Sequence, residues 1–163
     1  MKSSHMVFGP QRAVQRAEAE MVGEQMTGRA KTTGCAKPAV IIIIDDNPRS
    51  LEYLSAALAS EHTTIFTAPN GLQALDLIFK HRPHIVLSDL VMPGLSGLDV
   101  LQQVKSFDPA IDVILMSAHD SGGSRACALE HGATDFLRKP IPLAVLRSRI
   151  DRVIQNHISE EQL

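Results

Sequence analysis

From Ala39 onward the chain alternates between short runs of consecutive apolar residues and longer stretches in which apolar residues recur every three or four positions. Short β-branched runs bounded by turn residues mark strands, whereas the longer period marks helices that pack by one face. Strands are predicted at Val40–Ile44, Thr63–Thr67, Ile85–Ser88, Ile111–Met116 and Thr134–Leu137. A first helix starts near Pro48, which suits a first helical turn, and turns Leu51, Leu54, Ala57 and Leu58 to one face. Asn70 caps a second, with Leu72, Leu75, Ile78 and Phe79 inward and an end before Pro83. A third runs from about Leu98 to Lys105 and stops before Pro109. A fourth spans about Ser124 to His131, with Gly132 as a suitable residue just past its end. The fifth follows Pro142 and carries Leu143, Leu146, Ile150, Val153 and Ile154.

Five strand–helix units in succession imply an α/β fold with a parallel sheet covered on both faces by right-handed crossovers. At this size the natural arrangement is a flavodoxin-like, doubly wound five-stranded sheet of order 2-1-3-4-5 with five helices. All strand C-termini then share one edge, and the topology changes direction between strands 1 and 3. Those strands end in Asp45-Asp46 and Asp89, and strand 5 is followed by Lys139-Pro140. Three carboxylates and an ammonium are therefore expected in one cleft. Carboxylates so close together resist ionisation unless a cation offsets them. The oxygen donors suit Mg²⁺ (or Mn²⁺), which takes one or two carboxylates and a phosphoryl oxygen, so phosphate chemistry is the first expectation.

Composition narrows the class. The chain has 163 residues, 21% of them charged, which fits one globular domain with a tail. No apolar run reaches the roughly eighteen residues of a membrane span, and no signal-peptide core opens the chain, so no membrane association and a cytoplasmic location are expected. Cys35 and Cys127 match no paired ligand spacing and read as ordinary thiols of a reducing compartment. Residues 1–38 hold six Lys/Arg against three Glu, while 39–163 hold ten against fifteen acidic residues. A net-acidic globular part argues against direct nucleic-acid binding by that part.

The set Asp45-Asp46, Asp89 within SDLVMPGLSG, Ser117 within LMSA and Lys139-Pro140, in this order and spacing, closely resembles the receiver domain of bacterial two-component response regulators over about residues 39–158. The resemblance implies a signalling domain rather than an enzyme acting on other molecules. Asp89 is the implied phosphoacceptor, supplied by a sensor histidine kinase or a His-phosphotransfer protein. Asp46 and Asp89 would bind the metal directly, Asp45 through water, and the backbone carbonyl of Val91 would add a ligand. A helix-capping role for Asp46 is the competing reading. Lys139 would pair with Asp89 at rest and with a phosphoryl oxygen afterwards, aimed by a cis peptide to Pro140. Ser117 would donate its hydroxyl to the phosphoryl group and, with Phe136, would switch the helix 4–strand 5–helix 5 face toward an effector or a second copy. Phe136 also reads as plain core. Val91 and His119 stand where receivers tune phosphoryl lifetime, and Gly122-Gly123 makes the loop before helix 4 permissive. Asp135 and Arg149 fit the charged dimer face of the transcription-factor subclass, but Val145 and Asn156 do not.

Other readings are weaker. A haloacid-dehalogenase-type phosphatase needs a second Asp two residues after its nucleophile, where Val91 stands. A flavin or nucleotide module needs a Gly- or Ser/Thr-rich cradle after strand 1, where Asp45-Asp46-Asn47-Pro48 stands. An adaptor of the same fold that is never phosphorylated would usually lack one of the five residues. Outside the domain, Met1–Met6 reads as a tag remnant, 11–26 as a helix-forming extension, either loosely held or packed on a partner or a second copy, and 28–38 as a linker. Residues 159–163 form a short tail, so the output belongs either to a single-domain regulator or to an effector encoded further on.

Overall fold

The computed structural model describes residues 37–119 and 122–161. The expectations for the tag remnant, the 11–26 helix, the linker up to residue 36 and Cys35 lie outside the described residues. The elements alternate strictly: β1 Ala39–Ile44, α1 Pro48–Leu58, β2 Thr63–Ala68, α2 Gly71–His81, β3 Ile85–Asp89, α3 Gly97–Phe107, β4 Asp112–Ser117, α4 Gly122–Glu130, β5 Asp135–Arg138 and α5 Leu143–Glu161. The strands form one parallel sheet in the order β2-β1-β3-β4-β5.

Period-two alternation divides the strand side chains into two cores. Ile42, Ile44, Val86, Val113, Leu115 and Phe136 join Ala74 and Ile78 of α2, Val100, Leu101 and Val104 of α3 and Ala128 of α4 on one side. Ile41, Ile43, Ile85, Leu87, Ile114, Met116 and Leu137 meet Leu54 and Leu58 of α1 and Leu146, Ile150 and Val153 of α5 on the other. The central strands are apolar at nearly every position because both of their faces are covered.

The inward face of α2 differs from the sequence expectation. Leu72 is 69% exposed and Phe79 43%, whereas Gly71, Ala74 and Ile78 are buried. The cause is close helix contact: a Cβ on Gly71 would stand 2.7 Å from the Leu95 side chain and 3.1 Å from that of Val100. The small residues therefore face inward, and Leu72 is turned out. Phe79 instead lies against the ring of Phe107, 4.8 Å between centroids.

Boundaries also shift. Gly122 and Gly123 belong to the first turn of α4, not to a loop before it, and α4 ends at Glu130, before His131. Gly132 then adopts φ +93°, a backbone conformation that glycine accepts at little cost. At the other end, α5 continues through 159–161, which the sequence assigned to a tail. β3 reaches Asp89 and β4 reaches Ser117, so both residues are the last of their strands.

Candidate functional site

Strand register builds the site. Ile44 pairs with Ser88, so Asp45 and Asp46 leave β1 beside Asp89 at the end of β3. Asp89 pairs with Met116, and Ser117 pairs with Arg138, one residue before Lys139. The backbone N–H of Leu90 donates to Met116 O at 2.7 Å and that of Lys139 to Ser117 O at 2.8 Å, which extends the ladder past the strand ends. Four strand ends are thus fixed side by side at the place where the sheet changes direction, the usual position of a ligand crevice.

Carboxylate oxygens of Asp45, Asp46 and Asp89 lie within 4.8 Å of one another. Asp45 is buried at 1% exposure, Asp89 is partly buried and Asp46 is exposed. Lys139 Nζ donates to Asp45 Oδ2 at 2.8 Å and to Asp89 Oδ2 at 3.3 Å. Its resting contact is thus shared, and the closer partner is Asp45, where the sequence reading paired it with Asp89. The second oxygen of Asp45 accepts from the backbone N–H of Asn47 at 2.9 Å, and Asn47 in turn caps α1 through Arg49 N.

Two pKa shifts follow from this packing. Burial pushes the Asp89 carboxyl above the usual carboxylate range; the Lys139 charge pulls it back and the Asp45 charge adds to the rise. For Lys139 burial opposes the charge, but the hydrogen bond to Asp45 and the charges of Asp89 and Asp45 outweigh it, so its pKa is raised. Lys139 is therefore a fixed ammonium at any neutral pH.

The Lys139–Pro140 peptide bond is cis. Ser117 is buried, and its hydroxyl donates to His119 O at 2.7 Å while accepting from His119 N at 3.2 Å. Val91 is 66% exposed, and its N–H donates to Asp89 Oδ1 at 3.4 Å. The His119 side chain is exposed, and Phe136, 3% exposed, belongs to the core cluster that includes Ala128 of α4. Asp135 and Arg149 pair with each other at 3.2 Å within the chain.

Three contributors were not singled out from the sequence. Asn47 holds the second oxygen of Asp45, and the capping signature Asn47-Pro48 was its available signal. Gly97 brings the start of α3 against the Asp89 loop, where a Cβ would fall 2.4 Å from Asp89 O. Tyr53, with Ser50, Leu54, Met116, Ala118, Lys139, Pro140 and Ile141, lines a cleft of about 510 Å³ beside the acidic site.

The sequence matches the response regulator receiver domain family over residues 41–151. The chain belongs to that family. It is 33% identical to the response regulator MprA of Mycobacterium sp. (strain KMS) over 124 residues, which cover 76% of this chain and 54% of MprA. It is 32% identical over 123 residues to the DNA-binding transcriptional regulator NtrC of Escherichia coli K12, covering 76% of this chain and 26% of NtrC. It therefore spans about half of the first relative and about a quarter of the second. Among solved structures, a response regulator receiver domain protein of Clostridium thermocellum superposes with a TM-score of 0.69 at 28% identity, covering 73% of this chain and 96% of that one.

Proposed function

We propose that this receiver domain is switched by phosphorylation of Asp89 and that the transfer requires Mg²⁺ or Mn²⁺. The observation that carries the reading is the convergence of three carboxylates within 4.8 Å with the Lys139 ammonium on two of them. The donor set fits the metal: Asp46 is exposed and Asp89 partly so, with the Val91 carbonyl nearby in sequence, whereas Asp45 is buried and held by the shorter hydrogen bonds, which suits contact through water. When bound, the ion offsets negative charge on the phosphoryl oxygens.

The protein's own residues account for the rest. An oxygen of Asp89 attacks the phosphorus of a phosphohistidine on a histidine kinase or phosphotransfer protein. The P–N bond breaks with its electron pair leaving on the imidazole, which takes up a proton, and an acyl phosphate forms. Lys139, already 3.3 Å from Asp89, follows the developing charge. Ser117 exchanges its bond to the His119 carbonyl for one to the phosphoryl group, and Phe136 moves into the space released. The α4–β5–α5 face then changes for an effector or a second copy; exposed Leu129 and Val145 support that use. The same reading implies a cytoplasmic protein, and among the described residues no helix is long and apolar enough to cross a membrane. The adaptor reading loses ground because the acidic trio, Ser117 and Lys139 are all in place.

The test is incubation with acetyl phosphate and Mg²⁺ followed by mass spectrometry. A gain of about one phosphate, roughly 80 Da, on Asp89 is expected. Undiminished labelling of Asp89→Asn, or labelling that ignores EDTA, overturns the assignment.

A further inference from the structure

The opposite end of the sheet carries a second cluster of ionisable groups that the acidic cleft does not use. His84 immediately precedes β3 and joins three strands: its N–H donates to Val40 O at 2.9 Å, its carbonyl accepts from Asp112 N at 3.0 Å, and its ring Nδ1 accepts from Val40 N at 2.9 Å. The ring of His157, on α5, meets the His84 ring edge to face at 5.5 Å between centroids. His157 Nε2 lies 2.7 Å from Asp112 Oδ2, and the other oxygen of Asp112 accepts from the hydroxyl of Thr134, which immediately precedes β5. A continuous chain, Val40–His84–His157–Asp112–Thr134, thus ties the late turns of α5 to β1, β3, β4 and β5.

The geometry of this chain favours a neutral His84. A charge on His157 is matched by Asp112. A charge on His84 requires a proton on Nδ1, which would face the Val40 N–H instead of accepting from it. That charge would also stand against the His157 ring. We propose that His84, His157 and Asp112 form a proton-operated latch, in which neutral His84 keeps the C-terminal turns of α5 on the sheet and protonation of His84 releases them. The ligand is the proton, and the responding element is part of the candidate output face. His84 and Asp89 stand at opposite ends of β3, roughly 16 Å apart, so the device operates without touching the acidic cleft.

Burial first and then His157 push His84 below the usual histidine range, while Glu161 of α5 and the Val40 hydrogen bond act in the opposite direction with less weight. Beyond Asp112, Lys105 of α3 feels that carboxylate and donates to Ile111 O at 2.7 Å. Because folding lowers the His84 pKa, the unfolded chain binds the extra proton first. The stabilising contribution is complete above about pH 6.5 and is lost as pH falls through that value toward the lowered one.

Amide hydrogen exchange of the full chain, followed by NMR at about pH 7.5 and about pH 5.5 and corrected for intrinsic rates, tests the latch. Protection of residues 154–158 is expected to fall about tenfold at the lower pH, with that of α1 unchanged. His84→Asn keeps an acceptor near the Nδ1 position without a titratable proton and is expected to remove the pH dependence, whereas His157→Gln keeps a donor near Nε2 and is expected to reduce it. Equal wild-type protection at both pH values, or an undiminished fall in His84→Asn, overturns the proposal. Should His84→Asn not fold, the wild-type His84 ring titration decides: it must move the Val40 amide resonance in parallel, and a titration that leaves Val40 still overturns the latch.

Discussion

The ammonium of Lys139 and the carboxylate of Asp45 lie 2.8 Å apart across 94 positions of sequence. Asp45 is 1% exposed and is held on its other oxygen by the Asn47 N–H, so it is the acidic residue least free to rearrange. Lys139 consequently has two functions: it compensates a buried carboxylate and positions a charge 3.3 Å from Asp89. Removal of one partner of such a pair leaves the other uncompensated.

Lys139→Ala and Asp46→Ala are expected to part company. The first removes a competing cation, so Mg²⁺ binds as well as in wild type or a few-fold more tightly, while phosphorylation or its propagation fails. It also costs about 1–3 kcal/mol, since Asp45 loses its partner in a partly solvated site. Asp46→Ala abolishes metal binding with little change in stability. Mg²⁺ titration by calorimetry beside urea denaturation checks both; similar metal affinities in the two variants would contradict this division of roles.

Gly97→Ala is expected to damage the site from outside it. The added methyl would stand 2.4 Å from Asp89 O and 2.9 Å from Leu90 Cα, and both are backbone atoms that cannot rotate away. Relief requires α3 to draw back from the Asp89 loop, at a cost on the order of 2 kcal/mol. Thermal unfolding should show the loss, and Mg²⁺ affinity should fall with it. A variant with wild-type stability and affinity would mean that the approach of α3 is not what fixes Asp89.

The order of elements was legible from the chain because β-branched runs and helical periods do not overlap here, and the acidic cleft was legible because it follows from where parallel strands end. Three things were not. Leu72 and Phe79 look core-facing by period alone, yet the size of Gly71 and Ala74 decides which side of α2 comes close to α3. The preference of Lys139 for Asp45 depends on depth within the cleft, which no spacing encodes. The base cluster joins His84, Asp112 and His157, which sequence separates widely and only the sheet register brings together.

Ser96→Ala is expected to weaken α3 in a pH-dependent way. Ser96 and Asp99 form a capping box, in which Asp99 N donates to Ser96 Oγ while Asp99 Oδ2 accepts from Ser96 N and its hydroxyl. The hydrogen bonds from Ser96 lower the Asp99 pKa. The carboxylate therefore stabilises the fold above the unfolded carboxylate range, and the contribution disappears as pH falls through the lowered value. Loss of the cap is expected to lower stability at neutral pH, and the gap from wild type should narrow in acid. Urea midpoints measured at neutral and acid pH test this, and a constant gap would contradict it.

The phosphorylated form is expected to be long-lived. Hydrolysis requires a water in line with the acyl phosphate on Asp89, and the neighbouring side chain best placed to guide it belongs to Val91, whose N–H already bonds Asp89 Oδ1. Val91 is 66% exposed but apolar, so it neither orients that water nor accepts its proton. His119 is the alternative base. Its backbone is held by Ser117 through two hydrogen bonds, leaving the exposed ring to reach the phosphoryl group only by its own rotation. Rates of phosphate loss in wild type, Val91→Asn and His119→Ala, measured across about pH 6 to 8, separate the two. Loss should accelerate several-fold in Val91→Asn, where an amide can hold the water, and stay unchanged in His119→Ala. Slower loss in His119→Ala, together with an inflection near neutral pH in wild type, would make His119 the base and end the long-lived reading.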